Sequence, residues 1–422
     1  MHSVYAVAFR EAAHAAGFIG VCMNNNKLVS RGMLAVLAAQ FISALADNAL
    51  LFAAIALLKT QLAPDWQTPL LQEFFVAAFI VLAPFVGPFA DSWPKGRVMF
   101  AANALKFLGA AAMLAGLHPL LAYGMVGIGA AAYSPAKYGI LGELVTPAQL
   151  VKANSMMEGS TIVAILIGAV LGGLLADVSV TGALWFVAGC YVLAAVANLL
   201  IPRLPPARNV VHEAVAGSGR FSLVVLVADF VQALRRLLGD ADARFSLLGT
   251  SVFWGAGSTL RLLLVAWVPV ALHAADLGTP ANLSGAVAIG IALGAVGAAR
   301  YVGLHNVNRA LPAGLLIGIL IMAFAFVDSF AAAAFMLVAI GACGGFYVVP
   351  LNALLQTRGQ ATVGTGHAIA VQNFVENCCM LLMVGFYAML ERYEVPVISA
   401  AVAIGALVLV ATGMLAWRRR RG

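Results

Sequence analysis

Charged residues are scarce in this chain: only 10% of its 422 residues are Asp, Glu, Lys or Arg. An ordinary soluble domain carries about 25%. Hydrophobic residues make up 63% of the sequence, and the mean hydropathy is +0.98. So few charges do not cover a water-facing surface on a chain of this length, which excludes an ordinary soluble protein. We therefore expect an all-α membrane protein, with lipid as the solvent for most of its surface.

The chain also lacks the residue patterns of metal sites, disulfide frameworks and common active sites. Its five cysteines show neither C-x-x-C nor Cys/His spacing, so we interpret them as small buried residues. The sequence shows no Ser/His/Asp set and no glycine-rich phosphate loop that opens a helix. Histidines such as His118 and His367 stand alone, which is typical of solvated or packing residues. We therefore predict no cofactor, no metal and no enzyme activity.

Twelve apolar segments approach the length of about 20 residues that a membrane-spanning helix needs. The predicted spans are 33–58, 72–90, 98–116, 119–143, 153–176, 181–201, 245–272, 281–299, 310–327, 329–354, 365–390 and 395–417. The longest gap, 202–244, starts with PRLPPAR and continues with FSLVVLVADFVQALRRLLGDADARF. That pattern predicts a linker containing an amphipathic helix along the inner membrane surface. Six spans, a linker and six spans indicate two six-helix halves.

These features divide the chain into five regions. The regions are an N-terminal cytoplasmic arm 1–32, an N-terminal half 33–201, the linker 202–244, a C-terminal half 245–417 and a basic tail 418–422. Residues 1–22 lack the charged start and long apolar core of a signal peptide. Met1 and Met23 are both candidates for the true start.

The basic residues that give the net charge of +7 lie almost entirely on one side of the predicted membrane. With the N-terminus inside, only Lys59 and Arg392 fall in outside loops. The inside set is Lys95, Arg97, Lys152, Arg203, Arg208, Arg220, Arg235, Arg236, Arg244, Arg300, Arg309, Arg358 and Arg418 to Arg421. This asymmetry predicts both termini in the cytoplasm and basic loops against anionic membrane lipids, with no nucleic-acid partner.

A loop motif, GPFADSWPKGR at 87–97, follows predicted span 2. Gly87 and Gly96 permit close helix approach, and Asp91 can face a helix N-terminus. Lys95 and Arg97 can pair across a cytoplasmic gate. The alternative is a plain basic turn. The motif resembles the G-x-x-x-D-x-x-x-K/R-G-R/K loop of the major facilitator superfamily, with a shortened middle.

Further stretches resemble the bacterial lysophospholipid transporters of that superfamily. They are ADNALLFAAIALLK (46–59), GAAAYSPAKYGILGEL (129–144), KANSMMEGSTIVAILIG (152–168), ARFSLLGTSVFWGAG (243–257), TLRLLLVAWVPVAL (259–272), VVPLNALLQTRG (348–359) and AIAVQNFVEN (368–377). The resemblance touches nearly every span; an N-terminal extension and the stretch 205–222 depart from it. It implies the major facilitator fold in the bacterial inner membrane.

The same resemblance implies a function in phospholipid remodelling. Members of the family flip lysophosphatidylethanolamine and lysophosphatidylglycerol from the outer to the inner leaflet. There an acyltransferase–acyl carrier protein synthetase re-acylates them. None of the chain's seven histidines has Asp five positions later, so the H-x-x-x-x-D acyltransferase motif is absent. That enzyme is therefore expected on a separate chain.

Ionisable side chains inside the spans are candidates for the transport machinery, since each costs roughly 2.5–3.5 kcal/mol to insert at a helix centre. Asp47, beside Asn48, and Arg261 have similar depths on predicted spans 1 and 7. The resemblance implies that these spans face one another across the cavity. We expect an Asp47–Arg261 pair, either a permanent bridge or a clamp for a zwitterionic head group, with Arg261 as the phosphate ligand.

Two further groups are predicted at lipid depth. Lys137 and Glu158 have matching depths on adjacent spans and suggest a second ion pair. It is either an inner-gate bridge, to which Glu143 also belongs, or a substrate site to which Tyr133 adds a hydroxyl group. A polar stripe on predicted span 11 forms the other group. Its members are Gln372, Asn373 and Glu376, with Asn352 of predicted span 10 beside them. Lys106 is expected to snorkel or to pair with the gate at Asp91.

A different carrier function is the main alternative at this stage. A proton-coupled exporter of a drug or small metabolite would also place Asp47 or Glu158 inside the membrane, as its proton site. The residues alone do not separate the two carriers. An uptake measurement with labelled lysophosphatidylethanolamine does.

Overall fold

The fold is a bundle of long helices. A computed structural model describes residues 30–63, 67–202, 223–273 and 278–421, and these residues contain no β-strand. The α-helices are α1 (Arg31–Thr60), α2 (Gln67–Val81), α3 (Ala83–Ser92), α4 (Lys95–Leu114), α5 (Pro119–Leu144), α6 (Leu150–Val178), α7 (Val180–Leu199), α8 (Leu223–Gly239), α9 (Ala241–Ala271), α10 (Gly278–Tyr301), α11 (Leu311–Phe324), α12 (Phe330–Thr362), α13 (Thr365–Arg392) and α14 (Val397–Arg421). The predicted arm at 1–22, with Met23, and the stretch 205–222 lie outside the described residues.

The described helices are long and apolar enough for a multi-pass membrane protein. Ten of them meet the length and hydropathy that a span requires, and α2 with α3 forms one further span bent by 63° at Leu82. Pro84, the second residue of α3, has no backbone N–H for a continuous helix, which explains the bend. The helix α5 is 26 residues long and packs among the others. Eleven of the twelve predicted spans are therefore apolar enough to cross a membrane, and the twelfth, α5, is a long helix that does not reach the same hydropathy.

The helices pack as two groups of six. In the first group α1 packs on α6 and α7, α4 packs on α5 and α7, and α2 packs on α5. In the second, α9 packs on α12, α13 and α14, α10 packs on α12, and α11 packs on α14. Contacts between the groups join α6 to α10 and α12, and α13 to α3 and α5. The helices α1 and α9 are not among the closely packed pairs.

Glycine sets the close approach of helices in both groups. A Cβ atom at Gly172 of α6 would lie 2.6 Å from the Cα of Ala49 on α1, so only glycine fits there. Gly168, one turn earlier, faces the backbone of Leu45 in the same way. The small residues of GAVLGG at 168–173 therefore allow close helix packing at these two positions.

The linker contains the predicted amphipathic helix, α8. Its apolar face buries Leu226, Phe230, Ala233 and Leu237 against α3, α9 and α13. The helix therefore contacts both groups of six. Asp240 is the N-cap of α9: its side chain accepts a hydrogen bond from the backbone N–H of Ala243 at 2.8 Å. The linker therefore ends at Asp240, and α9 begins at Ala241. At one end of the bundle α1 begins, α7 ends and α8 packs against the other helices. We call this end of the bundle 'the linker end'.

Candidate functional site

Asp47 forms a polar cluster within the first group of helices. Its Oδ2 accepts a hydrogen bond from Lys106 Nζ of α4 at 2.7 Å, and its Oδ1 accepts one from the Tyr191 hydroxyl of α7 at 2.8 Å. Lys106 also donates to Ser43 Oγ at 3.1 Å, and Ser43 donates to Asn103 Oδ1 at 2.7 Å. We name these five residues the Asp47 cluster. Its central ion pair joins α1 to α4, and the Tyr191 hydrogen bond adds α7.

The predicted Asp47–Arg261 pair is wrong for this structure. Lys106 takes the place expected for Arg261, and the expected role of Lys106 at the Asp91 gate is wrong as well. Arg261 is exposed on α9 and has no hydrogen-bond or ion-pair partner among the described residues. Depth along a helix gives the height of a residue, but it does not say which neighbouring helix its side chain faces. Lys106, in the middle of α4, was the sequence signal for the partner of Asp47, because a lysine inside a span also needs a partner.

Two predicted residues near the Asp47 cluster have local contacts. Asn48 donates from Nδ2 to the carbonyl of Ala44 at 2.8 Å, one turn earlier in its own helix. The ring of Tyr133 lies beside Lys106, whose Nζ is 5.0 Å from the ring centroid. Tyr133 therefore packs beside the Asp47 cluster and makes a cation–π contact with Lys106.

A second polar network crosses between the two groups of helices. Glu158 Oε1 on α6 accepts a hydrogen bond from Asn352 Nδ2 of α12 at 3.5 Å. Gln372 Nε2 on α13 lies 2.7 Å from Asn352 Oδ1 and 2.7 Å from Glu376 Oε1. Nearby, Asn373 Nδ2 donates to Ser134 Oγ of α5 at 2.9 Å. The predicted contact of Gln372 with Glu376 is confirmed and Asn352 joins it, whereas Asn373 hydrogen-bonds to Ser134 instead.

Lys137 and Glu158 do not form the predicted ion pair. Tyr138 lies between them: its hydroxyl donates to Glu158 Oε1 at 2.7 Å, and Lys137 Nζ lies 4.2 Å from its ring centroid. Counting residues along the predicted spans placed the two charges at the same depth in the membrane, but it did not include Tyr138. Lys137 and Glu158 therefore belong to one network, connected through Tyr138.

Asp91 joins the two groups at the linker end. Its carboxylate accepts hydrogen bonds from the backbone N–H groups of Gly366 at 2.8 Å and His367 at 3.1 Å, where α13 begins. The prediction that Asp91 faces a helix N-terminus is confirmed, and the positive end of the α13 dipole favours this charge. Lys95 Nζ lies 3.3 Å from Asp91 Oδ1 and 3.3 Å from Glu143 Oε1.

The remaining residues of the 87–97 motif explain its spacing. A Cβ atom at Gly87 would lie 2.9 Å from the Cα of His367, so glycine lets α3 meet α13. Gly96 packs in the same manner near the side chain of Ile201, with 3.3 Å available. Arg97 is exposed. The expectation that Lys95 pairs across the gate is wrong, because both of its carboxylate partners lie in its own group of helices.

His367 was not predicted as part of the gate. Its side chain is buried, with Nδ1 2.9 Å from Asp91 Oδ2 and Nε2 2.9 Å from Asp229 Oδ2 of α8. The histidine thus connects the gate aspartate to the linker helix. Its position at the start of α13 was visible in the sequence, but no pattern indicated that an aspartate of α8 would reach it.

Other hydrogen bonds between the groups also lie at the linker end. Asn154 and Gln356 exchange two side-chain hydrogen bonds, at 3.0 and 2.8 Å. Ser155 Oγ donates to the carbonyl of Ala295 at 2.8 Å. These residues lie near the start of α6 or the ends of α10 and α12. The two six-helix halves are therefore joined at the linker end, with buried charges between and within them, which is the architecture of an alternating-access membrane transporter.

The comparison with known families agrees with this class. Residues 36–383 match the model of the Major Facilitator Superfamily. The chain belongs to the Major Facilitator Superfamily.

Curated relatives match almost the whole chain. It is 53% identical over 413 residues to "Lysophospholipid transporter LplT" of Enterobacter sp. (strain 638), covering 98% of this chain and 100% of the relative. It is 55% identical over 372 residues to the protein of the same name from Yersinia pestis (strain Pestoides F), covering 88% and 90%.

Solved structures of low sequence identity share the fold. The human organic anion transporter MFSD10 superposes with a TM-score of 0.71 at 15% identity, covering 91% of this chain and 99% of that chain. A bacterial homologue of the iron transporter ferroportin, in an outward-facing state, gives 0.68 at 16% identity, covering 92% and 99%.

Proposed function

We propose that this protein is a lysophospholipid transporter that moves lysophosphatidylethanolamine and lysophosphatidylglycerol from the outer to the inner leaflet of the bacterial inner membrane. The observation that carries the proposal is 53–55% identity to relatives named as lysophospholipid transporters, over 88–98% of the chain. The buried ionisable residues are consistent with it, because such residues inside a membrane usually mark a substrate or ion path.

Arg261 is the proposed ligand of the lipid phosphate. An arginine at this depth is costly against hydrocarbon, so the Arg261 side chain is expected to face a polar cavity. It offers a planar set of N–H donors that match a phosphate group, and no described acid occupies them. Asp47, with Asn48 beside it, is the proposed acceptor for the polar end of the head group.

The gate and the polar network supply the two-state element that alternating access requires. With the linker end in the cytoplasm, the bonds of Asp91, Asn154 and Ser155 close the inner side. Inward opening breaks these bonds and exposes the head group to the inner leaflet. The network of Glu158, Asn352 and Gln372 lies between the halves, so its hydrogen bonds depend on the distance between them. Both termini are cytoplasmic in this orientation.

The released lysolipid is the substrate of a re-acylating enzyme in this proposal. We assign that step to an acyltransferase–acyl carrier protein synthetase on a separate chain. Continuous re-acylation removes the transported lipid from the inner leaflet. The resulting concentration gradient drives net inward movement without an ion.

Proton-coupled export of a small molecule remains the second candidate. The carboxylate of Glu376 is buried, and its nearest hydrogen-bond partner is an amide, Gln372, rather than a cation. A carboxylate in such a place can hold a proton during transport.

Uptake of radiolabelled lysophosphatidylethanolamine into spheroplasts separates the two candidates. Cells with the protein are expected to accumulate label, and cells without it are not. The rate is expected to persist with an uncoupler. No difference between the two cell types contradicts the proposed function and favours proton-coupled export of another small molecule. A rate abolished by the uncoupler contradicts the ion-independent uptake of the lysolipid.

A further inference from the structure

The Asp47 cluster has one side towards the protein interior and one side towards solvent. The Lys106 side chain is 1% exposed and that of Asp47 is 20% exposed. Lys106 therefore lies behind the carboxylate, enclosed by the rings of Tyr133 and Tyr191 at 5.0 and 5.9 Å. A ligand that enters the bundle from the exposed side meets the oxygens of Asp47 before it meets the ammonium group.

The ion pair changes what Asp47 offers to a ligand. An unpaired carboxylate inside a membrane protein strongly prefers a cation and disfavours an anion. With Lys106 at 2.7 Å, the pair has no net charge, yet the exposed part of the carboxylate still accepts hydrogen bonds. Such an acceptor suits either an ammonium group or a neutral hydroxyl group.

We infer that Lys106 is a positioning residue that sets head-group selectivity, by neutralising Asp47 so that one site accepts both ethanolamine and glycerol head groups. This inference rests on the proposed function. The phosphate, common to both lipids, is held elsewhere by Arg261. Lys106 acts through Asp47 and does not itself contact the lipid.

Charge variants of the pair test the inference through a ratio rather than a rate. The measurement is uptake of lysophosphatidylethanolamine relative to lysophosphatidylglycerol in vesicles with purified protein. Lys106→Gln leaves Asp47 uncompensated, so the ratio is expected to rise by about tenfold, as an unpaired buried charge favours its opposite. Asp47→Asn leaves Lys106 uncompensated, so the ratio is expected to fall below that of the wild type.

Matched variants separate selectivity from a loss of structure. The double variant Asp47→Asn with Lys106→Gln has no net charge in the cluster and is expected to return the ratio towards the wild-type value. Lys106→Arg keeps the charge and is expected to keep the ratio. If Lys106→Gln does not fold, the opposite effect of Asp47→Asn still tests the inference.

The outcomes distinguish this inference from the proposed function. Opposite shifts for the two single variants support the selectivity role of Lys106. An equal loss of both substrates in every variant overturns it and makes the ion pair purely structural. Wild-type protein that transports neither lipid overturns the proposed function, and the inference with it.

Discussion

Two aspartates of the first six-helix half, Asp47 and Asp91, have different kinds of partner. Asp47 pairs with a lysine and a tyrosine of its own half. Asp91 accepts hydrogen bonds from the start of α13 in the other half. The first arrangement persists whatever the two halves do, and the second exists only when they meet at the linker end. Asp91 is therefore the better target for altering the gate.

Asp91→Asn is expected to open the linker end. The change removes a charge that receives hydrogen bonds from Gly366 and His367, and bonds to charged groups contribute about 1.5–3 kcal/mol each. We expect a population with a longer distance between spin labels at Lys152 and Ala361, measured with the native cysteines replaced. Asp177→Asn, at the opposite end of α6, is the matched control. Identical distance distributions for wild type and Asp91→Asn would contradict the gate role.

Of the two adjacent glycines Gly172 and Gly173 on α6, only Gly172 packs against α1. Gly172→Ala places a methyl group 2.6 Å from the backbone of Ala49, and overpacking of this kind costs about 1–3 kcal/mol. Gly173→Ala meets nothing within 4 Å and removes backbone freedom from the unfolded chain. We expect a lower Tm in detergent for the first variant and an unchanged or higher Tm for the second. Equal Tm values would count against the close packing.

The helix α8 contacts both halves, so its packing bears on the gate. Phe230 is buried and meets Phe374 edge to face, with ring centroids 5.4 Å apart. Phe230→Ala removes an aromatic side chain whose loss from a core costs about 3–5 kcal/mol. We expect faster hydrogen exchange across 223–239. Val224→Ala, on the exposed face of the same helix, is the control. Unchanged exchange in Phe230→Ala would mean that α8 is held by its ends alone.

For the whole molecule, the sequence predicted the path of the chain better than the partners of its charges. Long apolar runs determine where helices cross the membrane, so the predicted spans agree with the helices to within a few residues at most ends. The larger differences are where α2 starts earlier, at Gln67, and where α12 continues to Thr362. Amphipathic character likewise predicted α8.

Pairing of charges was harder to predict because it depends on rotation and on neighbouring helices. Asp91 was predicted correctly because a helix N-terminus attracts a carboxylate whatever its side chains are. The partner of Asp47 was predicted wrongly, since equal depth did not distinguish Arg261 from Lys106. Tyr138 and His367 were missed because each acts through a residue distant in sequence, Glu158 and Asp229 respectively.

The most direct test of the central claim, inward transport of a lysolipid held through Arg261, uses purified protein in vesicles. Fluorescent lysophosphatidylethanolamine is added outside, and albumin extracts what stays in the outer leaflet. We expect the wild type and the exposed control Arg309→Gln to protect lipid from extraction with time. Arg261→Gln is expected to slow protection by at least about tenfold, the cost of one charged hydrogen bond. Protection at the rate of empty vesicles by the wild type, or wild-type protection by Arg261→Gln, would contradict the claim.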